Sequence, residues 1–176
     1  MRLFLLRGAL LILAVAGVFV LWDRYGPTAP APNMVPAVEQ VDNILIEKSA
    51  RRLSATVDGD VVFQVEIALG FEPGGDKQME GVGKTPEGHF TISRRNPQSA
   101  FHLSLGLDYP RPEDIARAQA EGVDPGGDIF IHGQPNGLSM LTLPGDWTAG
   151  CIAVSNAEME TLWRLVPIGT PVEIKP

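Results

Sequence analysis

Residues 128–153 read DIFIHGQPNGLSMLTLPGDWTAGCIA. The segment opens on Asp128 to His132 (DIFIH), an apolar run that predicts a short strand ending in a histidine. It closes on Gly150-Cys151-Ile152, which places the only cysteine of the chain directly behind a glycine. The residues between are rich in Gly, Pro and polar side chains, enough for a loop that returns the chain to the strand end. A thiol attacks acyl groups well only as its thiolate, and a neighbouring imidazole is the usual way to generate one. If His132 and Cys151 meet, a thiolate–imidazolium pair is expected near neutrality. A glycine before the nucleophile lets the backbone turn tightly, so the N–H groups of Gly150 and Cys151 are candidates for an oxyanion hole. The residues alone leave a second reading open. A lone Cys in an apolar setting is often a small buried hydrophobe, and a strand-end His a hydrogen-bonded surface group.

Outward from this segment the chain reads as short strands with two helices. Asn43 to Lys48 alternates in the strand period, and Arg52 to Val57 and Val61 to Leu69 flank Asp58-Gly59-Asp60, a hairpin signal. His89 to Ser93 and Ala100 to Leu105 predict further strands, and Thr170 to Lys175 a closing one. Pro112 to Glu121 predicts a helix with Pro at its start and Gly122 at its end. Ser155 with Glu158 three residues on predicts a capped second helix; Met159, Leu162, Trp163 and Val166 line one face, and Pro167 stops it.

The chain has 176 residues, room for one domain, with 44% hydrophobic and 20% charged residues, which excludes a disordered or collagen-like class. A formal net charge of -7 argues against nucleic-acid binding. One cysteine rules out an internal disulfide framework and any multi-thiolate zinc site. The three histidines, His89, His102 and His132, show no ligand-pair spacing with Cys151, so no metal and no cofactor are expected.

Met1 to Trp22 carries Arg2 and Arg7 and then an uncharged apolar run. Residues 3–22 approach the roughly 20 residues that a membrane span needs, with Trp22 and Tyr25 placed as interfacial aromatics and the arginines holding the N-terminus inside. No small-x-small site with a polar start follows the run, so residues 1–24 are expected to be an uncleaved signal-anchor; a cleaved signal peptide is the rival reading. Gly26 to Pro36 (GPTAPAPNMVP) predicts a stiff, extended spacer within a linker over residues 25–41. The folded domain is expected over residues 42–176. Removing the three Arg and one Asp of residues 1–24 leaves 11 basic and 20 acidic side chains, a net charge of -9.

Two separated blocks resemble the L,D-transpeptidase (YkuD-type) catalytic domain of bacterial cell-wall enzymes. The first is Gly83-Lys84-Thr85-Pro86-Glu87-Gly88-His89-Phe90-Thr91-Ile92, similar to the family's G-K-T-P-x-G-x-(aromatic)-x-I strand. The second is Ile131-His132-Gly133 followed by Thr148-Ala149-Gly150-Cys151-Ile152, similar to H-G…(S/T)-x-G-C-(I/V), with Pro167 to Val172 as the closing strand. The resemblance covers about residues 42–175. It implies a mostly β (β-rich α+β) fold, a YkuD-like β-sandwich with two short helices, here preceded by an N-terminal membrane segment. It also implies a peptidoglycan L,D-transpeptidase, a cysteine acyl-transferase. In this role Cys151 attacks the diamino-acid carbonyl of a tetrapeptide stem, His132 is base and then acid, and the Gly133 backbone carbonyl orients the imidazole. The implied place is the cell envelope or periplasm, with inner-membrane anchoring by residues 3–22.

Two positions depart from the family pattern. The usual Arg two residues after the cysteine is Ala153, and the common His before the Gly-Cys pair is Ala149. A-G-C-I-A-V-S-N, with Phe101-His102-Leu103-Ser104-Leu105 and Tyr109-Pro110, is most similar to the YafK-like branch. That branch includes proteins acting on the amide between peptidoglycan and an envelope lipoprotein. The implied partners are thus peptidoglycan stem peptides, an envelope lipoprotein and the membrane. Alternatives are a murein amidase or hydrolase using water, and a non-catalytic wall-binding module. His102, Trp147 and Tyr109 are substrate-binding candidates, each with packing as its bland alternative; His89 reads as structural or exposed.

Overall fold

Asp58 and Gly59 both adopt positive φ (51° and 87°), the two-residue turn geometry that matches strand twist. The turn joins β2 (Arg52–Val57) to β3 (Asp60–Glu66), and β1 (Asn43–Glu47) pairs antiparallel with β2 on its other side. The computed structural model describes residues 2–26, 29–138 and 140–176. Met1, Pro27, Thr28 and Ser139, and the parts of the expected leader and linker that fall on them, lie outside the described residues.

The remaining elements are α1 (Arg2–Tyr25), β4 (Gly88–Ser99), β5 (His102–Leu107), α2 (Pro112–Glu121), β6 (Phe130–His132), β7 (Ile152–Ala153), α3 (Asn156–Leu165) and β8 (Pro171–Lys175). The strand order is β3-β2-β1-β8-β4-β5-β6-β7. The fold is the expected mostly β one. Strand β8 lies in the middle, parallel to β1 and antiparallel to β4. Strand β4 joins the two halves: Gly88 to Thr91 pair with β8, and Ile92 to Ser99 pair with β5 through two register shifts. One apolar core runs between the halves, with Ile44, Ile46 and Leu53 from one side and Leu105, Ile131 and Ile152 from the other.

Several boundaries differ from the sequence expectation, three of them around the site. Strand β4 continues through Arg94 to Ser99, a polar run that lies outside the expected strands, with Pro97 carried at a β-bulge. Strand β5 starts at His102 because Ser99 to Phe101 form the turn, clamped by Asn136, whose side chain donates to Ser99 O (3.0 Å) and accepts from His102 N (3.0 Å). Strand β3 ends at Glu66, and the chain then leaves β2 to bridge Ala68 with Ala153.

Both expected helices form. Gly122 closes α2 in the left-handed conformation, and Ser155 and Glu158 form the capping box of α3, with bonds of 3.3 and 2.8 Å. Arg95 of β4 stacks 4.0 Å over Trp163 and donates to the last carbonyls of α3, Trp163 O (2.6 Å) and Val166 O. Residues 29–36 of the Pro-rich segment form neither helix nor strand, and they do not stand free of the domain. Trp163 Nε1 donates to Pro32 O (3.1 Å) and Val35 N to Arg164 O (3.0 Å), so residues 31–35 lie as a strap on α3. Residues Arg7–Tyr25 of α1 have a mean hydropathy of 1.6, long and apolar enough to cross a membrane by length and composition, and none of that window is buried.

Candidate active site

His132 ends β6, its backbone held on both sides by Ser104 of β5 and Ala153 of β7. Its side chain is only 4% exposed. Nδ1 lies 2.7 Å from the carbonyl oxygen of Gly133. A carbonyl only accepts, so Nδ1 carries the proton and the neutral ring keeps its lone pair on Nε2. Gly133 has no room for a side chain, since a Cβ there would meet Asn156 Oδ1 at 2.5 Å. Asn156, at the start of α3, also accepts from Gln134 N (2.8 Å), and the buried Gln134 braces the loop by donating to Val154 O (2.7 Å) and accepting from Leu143 N (2.8 Å).

The cysteine sits on a turn built by the other motif block. Gly150 has φ 132°, and a Cβ there would lie 2.7 Å from Lys84 O, within G-K-T-P. Thr85, fully buried, accepts from Gly70 N (3.2 Å), and Thr148 exchanges backbone bonds with Leu69 and Phe71. The G-K-T-P block is therefore the backing on which the Gly-Cys turn rests. Gly150→Ala is expected to cost a few kcal/mol (about 1–3 for the backbone conformation alone) and to displace the thiol. Thermal melting together with Cys151 alkylation rates checks this; unchanged values for both would show the close approach to be unimportant.

Cys151 and His132 line one cleft of about 460 Å³, together with Phe101, Phe130, Trp147 and Asp128. Phe101 and Trp147 pack on the imidazole, with ring centroids 4.6 and 5.7 Å away. Trp147 Nε1 is buried and has no hydrogen-bond partner among the described residues. The cysteine sulfur accepts from Phe130 N (3.4 Å) and donates to Asp128 O (3.3 Å). No hydrogen bond joins it to His132 among the described residues.

These surroundings weigh against the expected ion pair. Burial pushes the Cys151 thiol up; the Phe130 N–H and the Lys77 ammonium pull it down, and Asp128 pushes it further up, for a net rise. Burial pulls His132 down against the Gly133 carbonyl, which favours the protonated ring. Both directions favour the neutral forms, because desolvation disfavours charge unless the charges touch. Lys77 itself is buried, donates to Met79 O (3.1 Å) and is lowered by burial, with Glu80 and Cys151 opposing.

The oxyanion expectation is corrected at one residue. Thr148 Oγ1 accepts from Gly150 N (3.1 Å) and donates to Cys151 O (2.7 Å), so the Gly150 N–H is already engaged. The Cys151 N–H is left as the backbone donor. Two substrate-binding candidates lie away from the cleft lining. Tyr109 is a core residue: it packs on Phe90, donates to Pro125 O (2.9 Å), and burial pushes its hydroxyl up to about 12. His102, at φ 65°, pairs with Glu160 (3.2 Å) on α3 and faces the strap. Trp147 does line the cleft. Of the two departures, Ala149 lines the cleft and Ala153 is buried in β7. The described residues hold no group of three His, Cys, Asp or Glu that could bind a metal.

Sequence reasoning missed the roles of Thr148, Gln134, Asn136 and Lys77. Thr148 was visible in T-x-G-C, and its two hydrogen bonds are local, to Gly150 N and Cys151 O two and three residues on, the hydroxyl turn that such a sequence can form. Gln134 and Asn136 read only as loop polarity, and nothing in the sequence marks Lys77.

The chain belongs to the YkuD family, the L,D-transpeptidase catalytic domain, whose pattern matches residues 42–174. Its members are cell-wall enzymes acting on peptidoglycan peptide stems. Among solved structures, the helical cell shape determining protein Pgp2 of Campylobacter jejuni is 25% identical, with a TM-score of 0.60 over 92% of this chain and 56% of that one. Bd1075 of Bdellovibrio bacteriovorus is 23% identical (TM-score 0.55, covering 84% and 52%), and an L,D-transpeptidase of Xylanimonas cellulosilytica is 20% identical (0.50, covering 89% and 78%). The chain spans little more than half the length of the first two. No curated protein matches it.

Proposed function

We propose that this chain is an exported cysteine acyltransferase, held at the inner membrane by residues 3–22, acting on the diamino-acid carbonyl of tetrapeptide stems. The observation that supports this most is one cleft holding the only thiol beside a histidine whose Nδ1 is fixed by the Gly133 carbonyl, leaving Nε2 as a proton acceptor. As substrate binds, the thiol turns from Asp128 O and gives its proton to Nε2 while sulfur adds to the carbonyl carbon. The oxyanion takes the Cys151 N–H. Collapse breaks the amide C–N bond, and the departing D-alanine amine takes the proton back from His132. An amine or water then cleaves the thioester and restores the thiol.

The sequence pattern around Cys151 supports the YafK-like branch, and water in the second step makes the same site an amidase or hydrolase. A wall-binding module would have no use for the oriented His132 and the thiol together. Full-length protein in detergent, incubated with tetrapeptide muropeptides with and without an amine acceptor, should give by mass spectrometry a Cys151 acyl adduct. The released product is then an amide or a tripeptide. A folded protein giving neither adduct nor product would overturn the acyl-transfer reading.

A further inference from the structure

Residues 133–145, between His132 and Cys151, carry no charged side chain, although the chain's formal net charge is -7. The loop presents Leu138, Met140 and Leu141 to solvent at 39%, 79% and 57% exposure. Its place in the fold says what covers them. A Cβ on Gly137 would lie 3.4 Å from Arg24 Cβ and 3.8 Å from Val20 O, so the loop packs against the last turns of α1. At that level α1 exposes Trp22 and Tyr25, the residue types that settle at a membrane interface, and below it an apolar surface from Leu10 to Leu21. The strap on α3 ties this end of the helix to the domain.

We propose that Leu138, Met140 and Leu141 dip into the outer interface of the same bilayer that α1 crosses, as a second membrane contact beside the anchor. The proposal rests on the reading of α1 as a membrane span. Chemistry favours lipid over water here: three apolar side chains follow one another at the loop tip, and residues 133–145 themselves carry no carboxylate, the nearest ones, Asp23 on α1 and Asp146, lying beside the loop rather than on its tip. The neighbouring cation is Arg24, placed to meet phosphate headgroups. Because Gln134 ties the loop to Val154 beside β7 and braces it internally at Leu143, lipid contact at its tip would set the height and tilt of the Cys151 cleft above the membrane.

The test uses the full chain with Cys151→Ala, so that one introduced cysteine can carry an environment-sensitive fluorophore. The protein is placed in phosphatidylethanolamine–phosphatidylglycerol nanodiscs containing lipids brominated at shallow or deep acyl carbons. Leu13→Cys reports on α1, Met140→Cys on the loop, and Ile115→Cys, exposed on α2, on solvent. Interfacial apolar segments sit about 5–10 Å into the headgroup–acyl boundary, so shallow bromines should quench about half of the Met140→Cys emission and leave Ile115→Cys unchanged. Adding Leu138→Ser and Leu141→Ser should reduce that quenching without altering the deep quenching of Leu13→Cys. Deep quenching at Leu13→Cys with none at Met140→Cys would overturn the proposal while the span stands, and would give the patch to a protein partner. No quenching at Leu13→Cys would overturn the span and the proposal together.

Discussion

Replacing Cys151 by alanine is expected to lower turnover on tetrapeptide stems by about 10⁴-fold or more, because nucleophile and base act as one unit and neither works alone. The fold should survive. The change removes two sulfur contacts, to Phe130 N and Asp128 O, and leaves the Gly150 turn and its Thr148 clasp untouched. Losing weak sulfur bonds should cost no more than about 1 kcal/mol. Muropeptide turnover and a thermal melt measured on the same preparation separate the two effects. Wild-type product formation by the alanine variant would remove Cys151 from the nucleophile role and leave it a half-buried structural thiol.

A pH profile gives the second large effect, and its sign follows from burial. His132 must be neutral to accept the thiol proton, and its pKa lies below the ordinary imidazole value of about 6.5. The base form therefore persists as pH falls, and the acid limb of kcat/KM should lie below about 6.5. The resting thiol lies above its ordinary value, so alkylation by iodoacetamide without substrate should have its midpoint above about 8.5. A resting thiolate–imidazolium pair would instead give rapid labelling at about pH 6–7. His132→Ala should cost about 10²–10⁴-fold in turnover, the range of general acid–base catalysis, and barely move the alkylation midpoint of the free enzyme. His102→Ala, whose ring pairs with Glu160 outside the cleft, should change neither quantity. Rapid alkylation of the wild type near neutrality, slowed by His132→Ala, would restore the ion pair.

Much of the architecture was legible because it depends on neighbours in sequence. Asp58-Gly59 specifies a hairpin turn through positive φ, and Ser155 with Glu158 specifies a helix start through two local hydrogen bonds. Pro112 and Gly122 bracket α2 for equally local reasons. The pair His132 and Cys151 could be singled out from residue chemistry and motif order. Glycine at 150 marked a tight turn, although the atom that demands it, Lys84 O, is 66 residues earlier.

What only the tertiary structure decided is everything that depends on a partner far along the chain. The central position of β8 is one case, since a closing strand reads alike at an edge or between β1 and β4. The length of β4 is another: its polar second half becomes a strand because β5 pairs with it and because Arg95 reaches the end of α3. The Pro-rich segment looked like a free spacer because nothing in its composition reveals that Trp163 and Arg164 would hold it. Tyr109 and His102 were plausible cleft residues until burial against Phe90 and pairing with Glu160 placed them elsewhere. The charge state of the site belongs to the same class. Residue types alone predict an imidazole lowering a thiol pKa. Burial of His132 and desolvation at the half-buried Cys151, with the sulfur bonded to backbone rather than to the ring, push the other way, because desolvation acts on whichever form is charged.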